Sequence, residues 1–315
     1  MPLLEIAMVL GGLFGLYLGA EGLVRGSSSL AFRIGITPLV VGLTVVAFGT
    51  SAPELLVGLF GTDDVAVGNI LGSNVANLAL ILGAAALIRP IEIKSRAVRR
   101  DLPIMVAATL LFIGVAINGS FSRIDGVILL AAMAAYLTYT FFEARRDMDQ
   151  FREMMGDDLL DRAPDKHPAW RDVTMLIAGI VGLAIGAKLM VDGSIVIAQV
   201  LGVSELVIGI SIVALGTSLP ELATSLVAAY RDEADISVGN VIGSNIFNLL
   251  FVIGILAVVG GLTVDEHALR IDLWVVLGVS VGIWPLLRSG HVLNRLEGAL
   301  LLAFYFGYMI TLFWR

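Results

Sequence analysis

No cysteine occurs anywhere in this 315-residue chain, which excludes a disulfide framework and any thiolate metal site. Histidine is nearly absent too, and His167, His267 and His291 are too scattered in loop positions to form a metal cluster. Charge is scarce. Asp, Glu, Lys and Arg make up 15% of the residues, against about 25% in soluble domains. Folded in water, such a chain would leave its own apolar surface uncovered. The N-terminal segment lacks a basic leader region and a clear cleavage site, so it reads as a retained helix and not a signal peptide.

What is present is hydrophobic. Apolar residues supply 58% of the chain, and the mean hydropathy is +0.94. Most long apolar runs approach the roughly 20 residues that a spanning helix needs. The chain therefore reads as an integral membrane protein. The 35 glycines let helix backbones approach closely inside a bilayer. Net charge is −7, but orientation follows the positions of Lys and Arg and not the sum.

Ten spans are expected, at about 3–24, 37–60, 64–87, 102–117, 124–142, 172–191, 204–230, 236–259, 271–287 and 295–314. A polar stretch from Arg145 to Arg171 interrupts them and reads as a loop with room for one short surface helix. Its Asp157, Asp158 and Asp161 lack the ligand spacing of an EF-hand and read as a solvated face. Lys188 and Asp192, four apart near a helix end, read as a local ion pair, and Arg123 with Asp125 as a helix cap. Trp170, Trp274, Trp284 and Trp314 look like interface anchors.

The chain says one thing twice. Residues 49–54 read Gly-Thr-Ser-Ala-Pro-Glu and residues 216–221 read Gly-Thr-Ser-Leu-Pro-Glu. Downstream, Gly-Asn-Ile-Leu-Gly-Ser-Asn (68–74) returns as Gly-Asn-Val-Ile-Gly-Ser-Asn (239–245). The first half is four residues shorter between Glu54 and Gly68 than the second half between its counterparts. Five spans per copy is an odd number, so consecutive copies enter the membrane in opposite directions, as inverted repeats. This divides the chain into a first repeat (1–144), a cytoplasmic loop (145–171) and a second repeat (172–315). With the N-terminus outside, sixteen Lys and Arg fall in cytoplasmic segments. Arg123, Lys188, Arg270 and Arg315 remain outside. That bias places both termini on the extracytoplasmic side.

The repeated residues carry the chemistry. A carboxylate in a spanning segment costs about 2.5–3.5 kcal/mol on insertion scales and marks function by default. Pro53 has no amide hydrogen, so the carbonyl of Gly49 loses its helical partner. The neighbouring carbonyls of Ala47 and Phe48 are expected to loosen with it. Thr50 and Ser51 add hydroxyls, and Glu54 a carboxylate. Ala214, Thr217, Ser218 and Glu221 repeat the set. Face to face, these form an all-oxygen cage with two negative charges, suited to hard cations such as Ca²⁺ and Na⁺. The Gly-Ser-Asn triplets at 72–74 and 243–245 are expected to interrupt the third and eighth helices. Ser73 with Asn77, and Ser244 with Asn248, sit four apart on one helix face and present neutral oxygens.

In these duplicated strings the chain resembles the calcium/cation antiporter superfamily, specifically its prokaryotic sodium/calcium exchanger branch. The resemblance implies an all-α membrane protein, with ten transmembrane helices in two inverted five-helix repeats. It places the ions between the second, third, seventh and eighth helices, with the first and sixth sliding past them. It implies that Glu54, Glu221, Thr50 and Thr217 hold calcium. Ala47, Ser51, Ser73, Asn77, Ala214, Ser218, Ser244 and Asn248 would line the sodium sites or the ion pathway. The position of Asn248 is often aspartate in this branch, so this site has one fewer possible charge. No large calcium-sensing domain follows the fifth helix.

The function expected is a secondary antiporter that exchanges Ca²⁺ for Na⁺ by alternating access in a prokaryotic inner membrane. It would work as a monomer surrounded by lipid, without a cofactor or a nucleic-acid partner. The alternatives are proton- or potassium-coupled calcium antiport and, from another class, a passive cation channel. An enzyme is not expected, because the spans show no histidine cluster and no nucleophile–base pair.

Overall fold

Backbone amides have no water to bond inside a bilayer, so the apolar runs close their hydrogen bonds within helices. In the computed structural model, residues 3–34, 36–93, 95–155, 168–202, 214–288 and 291–313 are described. The helices are α1 (Leu3–Ile34), α2 (Pro38–Phe60), α3 (Asp63–Ile88), α4 (97–116) and α5 (Arg123–Met155). They continue with α6 (Ala169–Val200), α7 (214–230), α8 (Ala234–Gly260), α9 (Ala268–Arg288) and α10 (Arg295–Phe313). Among the described residues, eight of these helices are long and apolar enough to cross a membrane. α4 and the described part of α7 are the two outside that set. The expected seventh span begins at 204, and residues 203–213 lie outside the described residues.

Three expected boundaries need correction. α1 and α6 run 32 residues each, or about 48 Å at 1.5 Å per residue. The sequence reading ended them at 24 and 191. Charged residues are accommodated in both helices because they pair on or between them. Arg25 pairs with Glu21 at 2.6 Å, Lys188 with Asp192 at 2.9 Å, and Arg33 with Asp172 at 2.8 Å. Likewise α5 continues through Arg145 to Met155, where a loop was expected. Asp157, Asp158, Asp161 and His167 lie outside the described residues.

α1 and α6 cross on glycine. A Cβ added at Gly19 would sit 2.6 Å from the backbone nitrogen of Leu183, and one at Gly186 would sit 2.6 Å from that of Leu16. The two contacts are reciprocal, so small residues on both helices set the interaxial distance. Around the crossing, Leu16, Ala20, Leu23 and Val24 pack with Leu176, Leu183 and Ala187. The larger apolar core joins α2, α3, α4, α8 and α9, with Leu43, Ile70, Leu78, Leu102, Ile246 and Ile253 fully buried.

Short strand pairs tie the helix ends. β1 (Ile91–Glu92) pairs antiparallel with β4 (Val292–Leu293), and β2 (Ser120–Phe121) with β3 (Leu262–Thr263). The β1–β4 end also holds the Arg33–Asp172 and Arg89–Asp232 ion pairs and the Arg100–Glu143 and Arg231–Glu21 contacts. At the β2–β3 end, Asp63 accepts from the amide and hydroxyl of Thr263 at 2.9 Å each. Gly261, at φ 72°, makes the turn from α8 into β3, a conformation that glycine adopts without strain.

Candidate ion-binding site

Both Pro-Glu strings break their helices at the same place. α2 bends at Ser51 (φ −82°, ψ 5°) and restarts at Ala52, so Glu54 falls in the first turn of the new segment. α7 bends at Ser218 (φ −86°, ψ 3°) and restarts at Leu219, with Glu221 in its first turn. Proline is tolerated at such a start because its missing N–H has no role there. The positive end of each restarted helix faces its own carboxylate. The Ala47 carbonyl stays in the helix ladder, accepting from the Ser51 amide at 3.0 Å. A carbonyl oxygen carries two lone pairs, so acceptance from within the helix does not by itself remove it as a ligand.

The Gly-Ser-Asn triplets do not interrupt α3 and α8, contrary to expectation. The Ala76 amide still bonds to the Gly72 carbonyl and the Phe247 amide to the Gly243 carbonyl. Instead, each helix widens into a π turn immediately afterwards, at Ala76–Ile81 and Phe247–Val252. Such turns shift the register of side chains and recur at functional sites. They carry Asn77 and Asn248 inward, where both are fully buried.

The described structure gathers most of the residues singled out from the sequence. The Ser51 hydroxyl donates to Glu221 Oε1 at 3.3 Å, joining one half to the other. Ser244 bridges them further, 3.3 Å from the Thr50 hydroxyl and donating to Glu221 Oε1 at 3.5 Å. The Asn248 amide donates to Ser73 Oγ at 3.1 Å and to Asn74 Oδ1 at 3.2 Å, and the Asn77 amide to Asn245 Oδ1 at 3.0 Å. Glu54 and Glu221 are 1% and 0% exposed, so water does not solvate either carboxylate. Ala214 begins the described part of α7, one turn before Ser218.

Two residues inside the quoted strings were given no role from the sequence. Asn69 accepts from the Thr217 hydroxyl at 3.0 Å, and Asn240 from the Thr50 hydroxyl at 3.1 Å. These are the same bond made twice, each across the two halves. Asn240 also donates to the Ser225 hydroxyl at 3.1 Å. Their signal was the asparagine after glycine in both Gly-Asn strings. Nothing local tells that such an amide reaches a threonine about 150 or more positions away.

The decisive feature is what these oxygens do not do. Among the described residues, both carboxylate oxygens of Glu54 lack a hydrogen-bond donor, as do Glu221 Oε2, Ser218 Oγ, Asn77 Oδ1 and Asn248 Oδ1. A native fold seldom buries an acceptor without a partner, at a cost of about 1–3 kcal/mol each and more for a charge. The unpartnered oxygens come from both halves, and beside them the amide nitrogens of Asn69 and Asn74 are also without a partner. No group of three or more His, Cys, Asp or Glu occurs among the described residues, so the set is two carboxylates with neutral oxygens. That is a donor set for a hard cation.

The sodium/calcium exchanger protein family matches residues 4–142 and 172–314. The chain belongs to that family. It is 36% identical over 321 residues to the putative antiporter CaxA of Alkalimonas amylolytica, covering 99% of each chain. It is 37% identical over 320 residues to the inner membrane protein YrbG of Escherichia coli, covering 99% of this chain and 98% of that one. Its fold matches the solved sodium/calcium exchanger of Methanococcus jannaschii with a TM-score of 0.83 and 31% identity, over 98% and 99% of the two chains. A more remote relative is a Ca²⁺/H⁺ antiporter of Aphanothece halophytica, 24% identical over 89% of this chain and 83% of that one. The family's chemistry is cation antiport involving calcium, and this member is an all-helical integral membrane protein.

Proposed function

We propose that this family member exchanges Ca²⁺ for Na⁺ by alternating access, with Glu54 and Glu221 binding calcium together near the membrane midplane. The observation that carries this reading is the set of buried, unpartnered oxygens converging from both Pro-Glu strings. Two carboxylates balance one divalent cation. Thr50 and Thr217, each held by an asparagine of the opposite half, would keep adjacent backbone oxygens in place. Ser51, Ser218, Ser244, Ser73, Asn77, Asn248 and the carbonyls of Ala47 and Ala214 would supply the weaker, neutral oxygens that suit Na⁺. Sodium entering these positions would compete with calcium for the two glutamates, which couples the two fluxes.

The finer architecture belongs to the same proposal: ten spans in two inverted repeats, 1–144 and 172–315, joined by a cytoplasmic loop at 145–171. It is supported by matched features. The π turns at Ala76–Ile81 and Phe247–Val252 stand 171 positions apart, as do those at Ala97–Asp101 and Ala268–Asp272. The arginine-rich β1–β4 end would face the cytoplasm of a prokaryotic cell, leaving both termini outside. The glycine contact between α1 and α6 would let this pair slide as a unit against the core.

A proton-coupled reading is favoured by one observation, the likeness to a Ca²⁺/H⁺ antiporter. Calcium uptake into proteoliposomes separates these readings. Uptake should follow an imposed outward Na⁺ gradient and stay at background under H⁺ or K⁺ gradients alone. Uptake driven by a pH gradient without sodium would replace Na⁺ with H⁺ as coupling ion. Calcium flux with no counter-ion gradient would mean a passive channel and overturn the proposal.

A further inference from the structure

Two recesses at the β1–β4 end share one wall residue, Arg99. One, of about 340 Å³, is lined by Val98, Arg99, Trp284, Arg288 and His291, between α4 and α9. The other, of about 510 Å³, begins at Arg99 and Arg100. It runs along α4 and α5 past Ile104, Ala108, Leu111 and Ala132. No carboxylate lines either recess. Arg100 is engaged by Glu143 of α5. Arg99 and Arg288 are both exposed and make no ion pair with any described residue.

Free guanidinium groups at a membrane boundary attract phosphate and bind it through paired N–H donors. Basic pockets between spanning helices bind lipid headgroups. The apolar groove beside this basin starts at the same arginine. From Arg99 to Leu111 it covers roughly 18 Å of helix, about one leaflet's share of the hydrocarbon core. Trp284 lines the smaller recess, and an amphipathic ring suits the headgroup level.

We propose that Arg99 and Arg288 hold the phosphate of an anionic phospholipid, whose acyl chain lies in the groove between α4 and α5. Charge complementarity selects this occupant, because the basin offers two unpaired cations and no anion. The lipid would bind the part of the molecule tied by β1–β4 and leave the α1–α6 pair untouched. This inference needs only that the chain spans a membrane, so it stands or falls apart from the exchange reaction.

Native mass spectrometry of the purified full chain tests it, with dioleoylphosphatidylglycerol and dioleoylphosphatidylcholine at equal concentration. Each arginine near a membrane surface strengthens anionic-lipid binding about fivefold, so two predict roughly a thirtyfold preference for the glycerol lipid. The Arg99→Gln/Arg288→Gln variant should lose that preference, and each single variant about fivefold of it. Arg295→Gln, an exposed arginine that lines neither recess, should keep it. Equal retention of both lipids by the wild type overturns the proposal without any variant. So does an unchanged preference in the double variant. Displacement of the retained lipid by millimolar inorganic phosphate would also overturn it, since it would mean a free-anion site.

Discussion

Replacing Gly19 with alanine adds one methyl group where there is no space. The new carbon would lie 2.6 Å from the Leu183 nitrogen and 2.9 Å from both the Gly179 oxygen and the Gly182 carbonyl carbon. All three are backbone atoms of α6, so no side-chain rotation relieves the contact. Restoring an ordinary separation of about 3.4 Å requires α1 and α6 to part by roughly 0.8 Å. A gap of that size forfeits a quarter to a half of the dispersion attraction along the interface. Overpacking of this kind costs about 1–3 kcal/mol. Gly11 on the same helix is the control, because a Cβ there meets nothing within 4 Å. Gly11→Ala should stabilise by about 0.5–1 kcal/mol through helix propensity alone. The assay is thermal unfolding of purified variants, followed by calcium exchange in proteoliposomes. Gly19→Ala and Gly186→Ala should both melt below wild type and exchange more slowly, because α1 and α6 no longer move as one body. If Gly19→Ala melts with Gly11→Ala and exchanges normally, the close backbone crossing does not hold the pair together.

Asn240→Leu and Asn69→Leu each remove the acceptor that holds the opposite threonine. Each should weaken calcium binding about tenfold, read by isotope binding to the purified protein, and the double variant should not be additive because the bonds serve one site. Asn248→Asp should keep calcium transport while changing its dependence on Na⁺, K⁺ or pH, measured in the same proteoliposomes. Identical profiles would make that position structural. Cysteines introduced at either terminus should react with an impermeant thiol reagent in intact cells, and cysteines in 145–171 should not. The opposite pattern would invert the proposed orientation.

The membrane class, the repeated strings and the two carboxylates were legible because they depend on composition and on residues close together in sequence. The lengths of α1, α5 and α6 were not. Hydropathy ends α1 near residue 24, but Arg25 and Arg33 find Glu21 and Asp172 and carry the helix to Ile34. The π turns were hidden as well, since Asn77 and Asn248 read equally well at ordinary helical spacing. At these turns Asn74, Asn77, Asn245 and Asn248 join in an amide network across the two halves, which local sequence does not reveal. The roles of Asn69 and Asn240 needed tertiary structure for the same reason. Both bond to a threonine of the opposite half. One sequence motif could be seen twice, but not that each copy completes the other.

Equilibrium binding of ⁴⁵Ca²⁺ to purified wild type, Glu54→Gln and Glu221→Gln tests the two-carboxylate site most directly. Glutamine keeps the size and hydrogen-bonding shape of each side chain and removes its charge. Unit charges 4 Å apart at an effective dielectric of 20 attract by about 4 kcal/mol, so either variant should weaken binding by at least about a hundredfold. Both should stay folded, with melting temperatures at or above that of the wild type, because a buried charge short of hydrogen-bond donors has been removed. Calcium binding at wild-type strength by a folded Glu54→Gln or Glu221→Gln protein would contradict the shared site.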